Sequence, residues 1–272
     1  MELPRGVRWV LRGGAALTMA FLYAPLLIVL IYAFNETRVQ RWPPSGFTLS
    51  WFDKASHNGG ALDALGVSLQ VALGATLLAL VLGSLAALAL ARFEFFGKGA
   101  ISFLILLPIA LPGIVTGMAL NATFTQALGS QLGLVTIIVA HATFCIVVVF
   151  NNVLARLRRL PVSLEEAAAD LGASPLRTFR DITFPQMRTA LIAGALLAFG
   201  LSFDEIVVTT FTAGSQQTLP IWILSNLSRP NNLPVVNVVA LFVILLSVVP
   251  VYVAQRLTAD PVGMAPAGAR SV

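Results

Sequence analysis

Two adjacent carboxylates, Asp204 and Glu205, are the side chains whose type and position most clearly suggest chemistry. They lie within the long apolar stretch 189–211, whereas the other ten of the 12 acidic residues lie in loops, tails or the ends of apolar stretches. A charge at the centre of a bilayer costs roughly 2.5–3.5 kcal/mol on insertion scales, so it usually faces a cavity or pairs with another group. Carboxylates that face a water-filled path would attract a cation.

Helical spacing separates the two carboxylates. Ser202, Glu205 and Thr209 recur at i, i+3 and i+7 and would share one polar stripe of a continuous helix. Asp204 would lie on a different stripe, among mostly apolar residues. We therefore predict that Glu205, with Ser202 and Thr209, lines a polar path, and that Asp204 either joins this path or packs against another helix or subunit. The alternative is a purely structural pair, hydrogen-bonded near an irregularity of the helix.

His141 lies in another apolar stretch, 132–152, and has no carboxylate in its own predicted helix. In such surroundings, packing and hydrogen bonds account for a histidine more often than a proton relay does. Cys145 is the single cysteine, so no internal disulfide can form. The sequence has no Cys/His spacing typical of a metal site, and no nucleophile-elbow or metalloprotease motif.

The polar stretch 161–188 predicts two short helices joined by a turn. Ser163 and Glu166 have the spacing of a capping box, in which the Ser163 hydroxyl accepts from the N–H of Glu166. Glu165 and Glu166 also complement the positive end of the helix dipole. Gly172 stands where the C-terminus of a helix favours positive φ.

The first of these helices needs a partner for its apolar face. That face is formed by residues at i, i+3, i+4 and i+7, which are Leu164, Ala167, Ala168 and Leu171. The helix spans about eight residues, a length at which isolated helices are marginal in water. The partner is the membrane surface, the protein's own helical bundle, or a groove on another protein. Ser174-Pro175 then begins a second helix, and Pro185 marks the approach to the next apolar stretch.

The composition predicts the elements that must position these residues. Of the 272 residues, 57% are hydrophobic and only 11% charged, whereas soluble domains average about 25% charged residues. Helices of about 20 apolar residues cross a bilayer. Six stretches qualify: 14–34, 65–91, 100–121, 132–152, 189–211 and 236–255. We predict an all-α polytopic membrane protein with six transmembrane helices. It would form a single domain over 1–272, with a core at about 65–255, an inner loop at 153–188 and a disordered tail at about 260–272.

The basic residues predict the orientation in the membrane. Thirteen of the 17 Lys and Arg residues would lie inside and four outside if both termini were cytoplasmic. Inner loops carry the excess of positive charge, so we predict that both termini lie in the cytoplasm. The net charge of +5 then reflects inner loops, and we expect the lipid bilayer, and not nucleic acid, as the surrounding partner.

Reporter fusions test this topology. A fusion after Leu62 should report an extracytoplasmic site, and a fusion after Arg159 should report a cytoplasmic one, because the charge asymmetry fixes the direction of every span. Paired phosphatase and fluorescent-protein reporters measure both sites. The opposite result at either site would contradict the topology.

The inner loop resembles a known family motif. Glu166-Ala167-Ala168 is followed after three residues by Gly172, after nine more by Ile182, and after one more by Phe184-Pro185. This pattern resembles the EAA loop of ABC-importer permeases, which usually has Leu where this chain has the similarly apolar Phe184. The resemblance implies the type I importer permease fold and a coupling helix that docks on a cytoplasmic ATPase subunit. It assigns this coupling to Glu165, Glu166, Ala167, Ala168, Leu171, Gly172, Ile182 and Pro185.

Further segments resemble one branch of that family. Tyr23-Ala24-Pro25, His141-Ala142-Thr143-Phe144-Cys145 and the segment 202–211 are similar to the second permease of spermidine/putrescine importers. The resemblance implies a second related permease, a dimer of ATPase subunits and an extracytoplasmic solute-binding protein as partners. It implies a bacterial inner-membrane location and a cationic substrate, which suits the acidic pair. Another amine or an amino-acid-like solute is the alternative substrate.

The chain itself lacks the residues that bind ATP. No G-x-x-x-x-G-K-[ST] motif occurs, and the single Gly-Lys pair, Gly97-Lys98, is followed by Gly99. We therefore expect a transport subunit that is not an enzyme and binds no cofactor, with ATP and Mg²⁺ on the partner ATPase. A proton-coupled secondary carrier is the rival class, but such carriers usually contain repeated halves, which this sequence does not show. A channel would not need the coupling loop.

Overall fold

The computed structural model describes residues 4–258 and is built from helices. Within that range there is no β-strand, and one isolated antiparallel bridge joins Asn35 to Phe47. The all-α prediction is confirmed. The tail at about 260–272, predicted to be disordered, lies outside the described residues.

Twelve α-helices follow one another along the described part of the chain. They are α1 (Arg5–Ala33), α2 (Ser50–Ser56), α3 (Gly59–Arg92), α4 (Lys98–Ala110), α5 (Gly113–Ala122), α6 (Leu134–Leu157), α7 (Ser163–Asp170), α8 (Pro175–Thr178), α9 (Phe184–Phe203), α10 (Val207–Thr212), α11 (Leu219–Leu227) and α12 (Leu233–Thr258). A π-helix, Thr123–Ala127, continues α5, and a π turn, Phe179–Thr183, joins α8 to α9.

Four helical runs are long and apolar enough to cross a bilayer: α1, α3, α6 and the run Pro175–Phe203. A fifth candidate is the pair of helices Lys98–Ala110 and Gly113–Ala127, which are bent by 106°. The apolar part of α12, Leu233–Val249, is shorter than a full span. The membrane-spanning class therefore agrees with the sequence, and the count of six stays a prediction.

The predicted third span, 100–121, is not one helix. It is interrupted at Leu111, whose φ of −84° and ψ of 142° are those of an extended chain. Pro112 explains the break, because proline has no N–H to donate and its ring disfavours the helical region for the residue before it. The apolar stretch was predicted correctly, but its continuity was not.

The predicted fifth span, 189–211, is interrupted as well. α9 ends at Phe203, α10 begins at Val207, and Asp204 has a φ of −96° and a ψ of 1°. No proline or glycine lies at this break. The residues after it, Ile206-Val207-Val208-Thr209-Thr210, are β-branched, but four of them are helical in α10, so low helix propensity does not explain the break.

The chain divides into two compact units. In the described part, the first contains residues 4–65 and 221–246, and the second contains 66–220 and 247–258. Within the first unit, the Trp51 indole donates to the Asn35 carbonyl at 2.8 Å, and the Phe34 and Phe52 rings lie 4.9 Å apart. These contacts order the loop between α1 and α3.

The second unit has its core around α6, which packs against α9. Fully buried side chains of this core include Val149, Phe150 and Leu157 of α6 and Ala198 of α9. At Gly83 of α3 an added Cβ would lie 2.9 Å from the Ile146 carbonyl oxygen. Small residues of this kind let helices approach closely within a membrane.

Candidate functional site

The break between α9 and α10 places the two carboxylates differently. The Asp204 side chain is exposed, and no described residue forms a hydrogen bond or ion pair with its carboxylate. Glu205 is half-buried, and its Oε1 accepts from the Val208 N–H at 2.9 Å. The helical stripe predicted for Glu205 is wrong, because residues 204–206 are not helical. Glu205 instead accepts a hydrogen bond in the first turn of α10. The exposed carboxylate of Asp204 has no partner among the described residues.

His141 connects the two sides of this break. Its side chain is fully buried, with Nδ1 2.8 Å from Ser202 Oγ and Nε2 2.8 Å from Thr209 Oγ1. Thr209 Oγ1 also donates to the Glu205 carbonyl at 2.8 Å. Ser202 and Thr209, which we predicted to lie on the path, are therefore buried against His141 in this chain. The contacts favour the structural interpretation of His141 over the proton relay.

The far end of α10 is held by two side chains from other helices. Asn121 Nδ2 donates to the Phe211 carbonyl at 2.6 Å, and Thr136 Oγ1 donates to the Thr212 carbonyl at 2.8 Å. Together with His141, these bonds fix a six-residue helix that is too short to be stable alone. Asn121 and Thr136 lie 90 and 76 residues from their partners in the chain, so no local pattern in the sequence links them to this helix.

Replacing His141 by Ala should destabilise the subunit. The substitution removes both side-chain hydrogen bonds and leaves a cavity at a fully buried position, a change that costs about 2–4 kcal/mol. Thermal unfolding of the purified subunit in detergent measures the effect. His57→Ala is the matched control, because the His57 side chain is 78% exposed. If His141→Ala melted like wild type but lost uptake in a pH-dependent way, the relay interpretation would replace the structural one.

α7 begins without the predicted capping box. Val162, in the helical region of φ and ψ, is the N-cap residue, and its carbonyl accepts from the Glu166 N–H at 3.1 Å. Ser163 is already helical, whereas a capping side chain must come from an extended residue before the helix. The prediction that Ser163 caps this helix is therefore wrong.

The end of α7 and the start of α8 agree with the sequence. Gly172 has a φ of +81°, the Ala173 N–H donates to the Ala168 carbonyl at 2.9 Å, and the Gly172 N–H donates to the Ala169 carbonyl at 2.9 Å. These two bonds form a Schellman motif. Ser174 is the N-cap of α8, and its Oγ accepts from the Arg177 N–H at 3.4 Å.

The apolar face of α7 is divided between the protein and the exterior. Ala168 is buried, whereas Leu164, Ala167 and Leu171 are exposed, Leu171 at 89%. Glu166 is also exposed. Ile182 is half-buried in the π turn, and Pro185 is exposed in the first turn of α9. Leu164 and Glu166 of α7 and its C-cap residue Leu171 are therefore all exposed.

Glu165 has contacts that the sequence did not reveal. Its Oε1 lies 2.8 Å from Arg92 Nη2 and 2.9 Å from Thr183 Oγ1. Arg92 is 73 residues away in the chain, and no periodicity relates the two positions. Among the described residues, no group of three or more His, Cys, Asp and Glu side chains could hold a metal ion.

Comparisons with known proteins agree on one family. The family described as "Binding-protein-dependent transport system inner membrane component" matches residues 79–260. The putrescine transport system permease protein PotI of Escherichia coli (strain K12) is 38% identical over 236 residues, which cover 84% of this chain and 83% of that protein. The spermidine/putrescine transport system permease protein PotC of the same strain is 36% identical over 254 residues, 92% of this chain and 95% of that protein.

A solved structure has a similar fold. It is a bacterial ABC transporter involved in the import of the acidic polysaccharide alginate, and one of its chains superposes with a TM-score of 0.71. The superposition covers 94% of this chain and 99% of that chain, at 16% sequence identity.

Proposed function

This chain belongs to the family of inner membrane components of binding-protein-dependent transport systems, and on that basis we propose that it forms half of the translocation path for a small cationic amine, putrescine or spermidine. The family and the fold are those of ABC-importer permeases. The chain is therefore a membrane-spanning transport subunit and not an enzyme.

The exposed Asp204 carboxylate is the observation that best supports a cationic substrate, because it lies at the break of a predicted span. Two unit charges about 4 Å apart interact by about 4 kcal/mol at an effective dielectric constant near 20. Water in the path weakens this attraction, but even a third of it changes a rate about tenfold. Glu205 adds a second negative charge next to Asp204. The hydrogen bonds from His141 to Ser202 and Thr209 fix the two sides of the break relative to each other.

The relatives support the choice of amine. PotI is named for putrescine transport and PotC for spermidine and putrescine transport, and both are similar to this chain over most of its length. Both amines carry only positive charges near neutral pH, so an acidic path suits them. Another amine or an amino-acid-like solute is the alternative, and the acidic groups alone do not distinguish one cationic amine from another.

The partners follow from the same proposal. A second related permease completes the path, an extracytoplasmic binding protein delivers the solute, and a dimer of ATPase subunits binds ATP and Mg²⁺. The segment 161–188 docks on the ATPase, which is supported by the exposed Leu171 and Leu176 side chains, 89% and 77% exposed. This chain binds no cofactor, and both of its termini lie in the cytoplasm.

Uptake by cells tests the substrate. Cells without polyamine uptake of their own, expressing this chain with its ATPase, second permease and binding protein, should accumulate labelled putrescine or spermidine. A strain with an ATPase variant that cannot hydrolyse ATP is the control and should accumulate neither. If the intact system moved neither amine while its ATPase was stimulated by a loaded binding protein, the solute would be a different one.

A further inference from the structure

One carboxylate oxygen connects three elements near the predicted inner face of the protein. Glu165 Oε1, in the first turn of α7, lies 2.8 Å from Arg92 Nη2 in the last turn of α3. The same oxygen accepts from Thr183 Oγ1 at 2.9 Å, in the π turn that precedes α9. The Arg92 and Glu165 side chains are only 16% and 22% exposed.

From this geometry we propose that Arg92 and Thr183 are positioning residues, which fix α7 to α3 and α9 so that movement of the docked helix displaces both spans. The inference rests on the proposed docking of the segment 161–188 on the ATPase. It adds the route by which the movement passes into the membrane: through Glu165 to Arg92 on one side and to Thr183 on the other.

The link between α7 and α3 depends on these side chains. The main backbone contacts of α7 are with α8 and the π turn, which follow it directly in the chain. An open cavity of about 440 Å³ adjoins the ion pair, and its lining includes Leu88 of α3, Phe93 directly after α3, Ala169 of α7 and Pro175 of α8. Apolar packing therefore does not fill the space beside α3, and the ion pair spans it.

The burial of Arg92 makes the link hard to break. Arg92 Nε is buried and has no hydrogen-bond partner among the described residues. Within the described residues, the Glu165 carboxylate is the counter-ion of this guanidinium and accepts from its Nη2. A largely buried charge that loses its partner is strongly unfavourable, so the pair resists separation when α7 is pulled.

Variants of the pair, made in the complete transport complex, test the inference. Arg92→Gln and Glu165→Gln should keep the ATPase bound but lower the solute moved per ATP hydrolysed about fivefold. The exchange Arg92→Glu with Glu165→Arg should restore most of this ratio, because the charges again face each other. Thr183→Val, which removes one hydrogen bond and no charge, should lower it about twofold. Glu94→Gln is the matched control, since Glu94 and Lys98 form an equally short but exposed pair at 2.8 Å.

The outcomes separate this inference from the proposed function. Wild-type coupling in both glutamine variants would overturn the inference, as would an exchange variant that assembles but stays uncoupled. Glu166→Lys changes an exposed residue of α7 outside the network and tests docking alone. If Glu166→Lys lost ATPase binding while Arg92→Gln coupled normally, the inference would fail and the docking proposal would stand. If Arg92→Gln and Glu165→Gln did not assemble, the solute moved per ATP hydrolysed would be measured for the exchange variant and for Thr183→Val. Wild-type coupling in Thr183→Val or no coupling in the exchange variant would then overturn the inference.

Discussion

Gly172→Val should leave this subunit inserted in the membrane but lower the solute-stimulated ATP hydrolysis of its complex about tenfold. Gly172 has a φ of +81°, a region in which β-branched residues are strongly disfavoured. Strain of this kind costs of order 1–3 kcal/mol, and about 1.4 kcal/mol corresponds to a factor of ten. The turn relaxes by moving α7, so the exposed Leu171 no longer reaches the ATPase. ATPase co-purification and stimulated hydrolysis measure the loss.

Gly172→Asn is the matched control for this prediction. Asparagine tolerates the left-handed region better than other residues with a side chain, and no atom lies within 4 Å of the position that a Cβ at Gly172 would occupy. This variant should keep most of the stimulated hydrolysis. If Gly172→Val were coupled as well as wild type, α7 would be a surface helix and not a docking element.

Asp204→Asn should lower the uptake of putrescine about tenfold without changing the amount of assembled complex. The substitution keeps the size of the side chain and removes the exposed charge, which no described residue neutralises. Two unit charges about 4 Å apart attract each other by about 4 kcal/mol at an effective dielectric constant near 20. The expected tenfold decrease corresponds to the loss of about a third of this attraction. Uptake at equal amounts of complex measures the effect.

Glu205→Gln should have a smaller effect than Asp204→Asn. A glutamine keeps the carbonyl oxygen that accepts from the Val208 N–H, so the start of α10 is preserved while a half-buried charge is lost. Glu205→Ala should lower the stability as well, because it removes this acceptor. If Glu205→Gln were the more damaging of the two charge-neutralising variants, the path would pass Glu205 and not Asp204.

Local signals in the sequence predicted the turn between α7 and α8. Gly172 at the end of an apolar periodicity and Ser174-Pro175 directly after it have conformational preferences that act within a few residues. The structure follows them, because α7 is largely exposed and tertiary packing does not oppose these preferences. The predicted capping box is wrong by one residue. The helix begins at Ser163, so Val162 and not Ser163 occupies the N-cap position.

The breaks and the long-range contacts could not be predicted in the same way. Pro112 is a local sign of the break at Leu111. The length of the apolar stretch 100–121 nevertheless favoured one continuous helix in the prediction. The break at residues 204–206 depends on bonds from His141 to residues on both sides, and these require the packed fold. The pairing of Arg92 with Glu165 joins positions 73 apart and likewise has no local signal.

Uptake of labelled putrescine into proteoliposomes shows whether the chain moves this amine and whether the Asp204 charge assists it. The vesicles would contain the complete complex, loaded binding protein on one side and ATP on the other, with either wild-type chain or Asp204→Asn. Asp63→Asn, the same change at an exposed residue of α3, is the control. We predict ATP-dependent uptake by the wild-type and Asp63→Asn complexes and a rate about tenfold lower for Asp204→Asn. Equal rates for all three complexes would contradict the account.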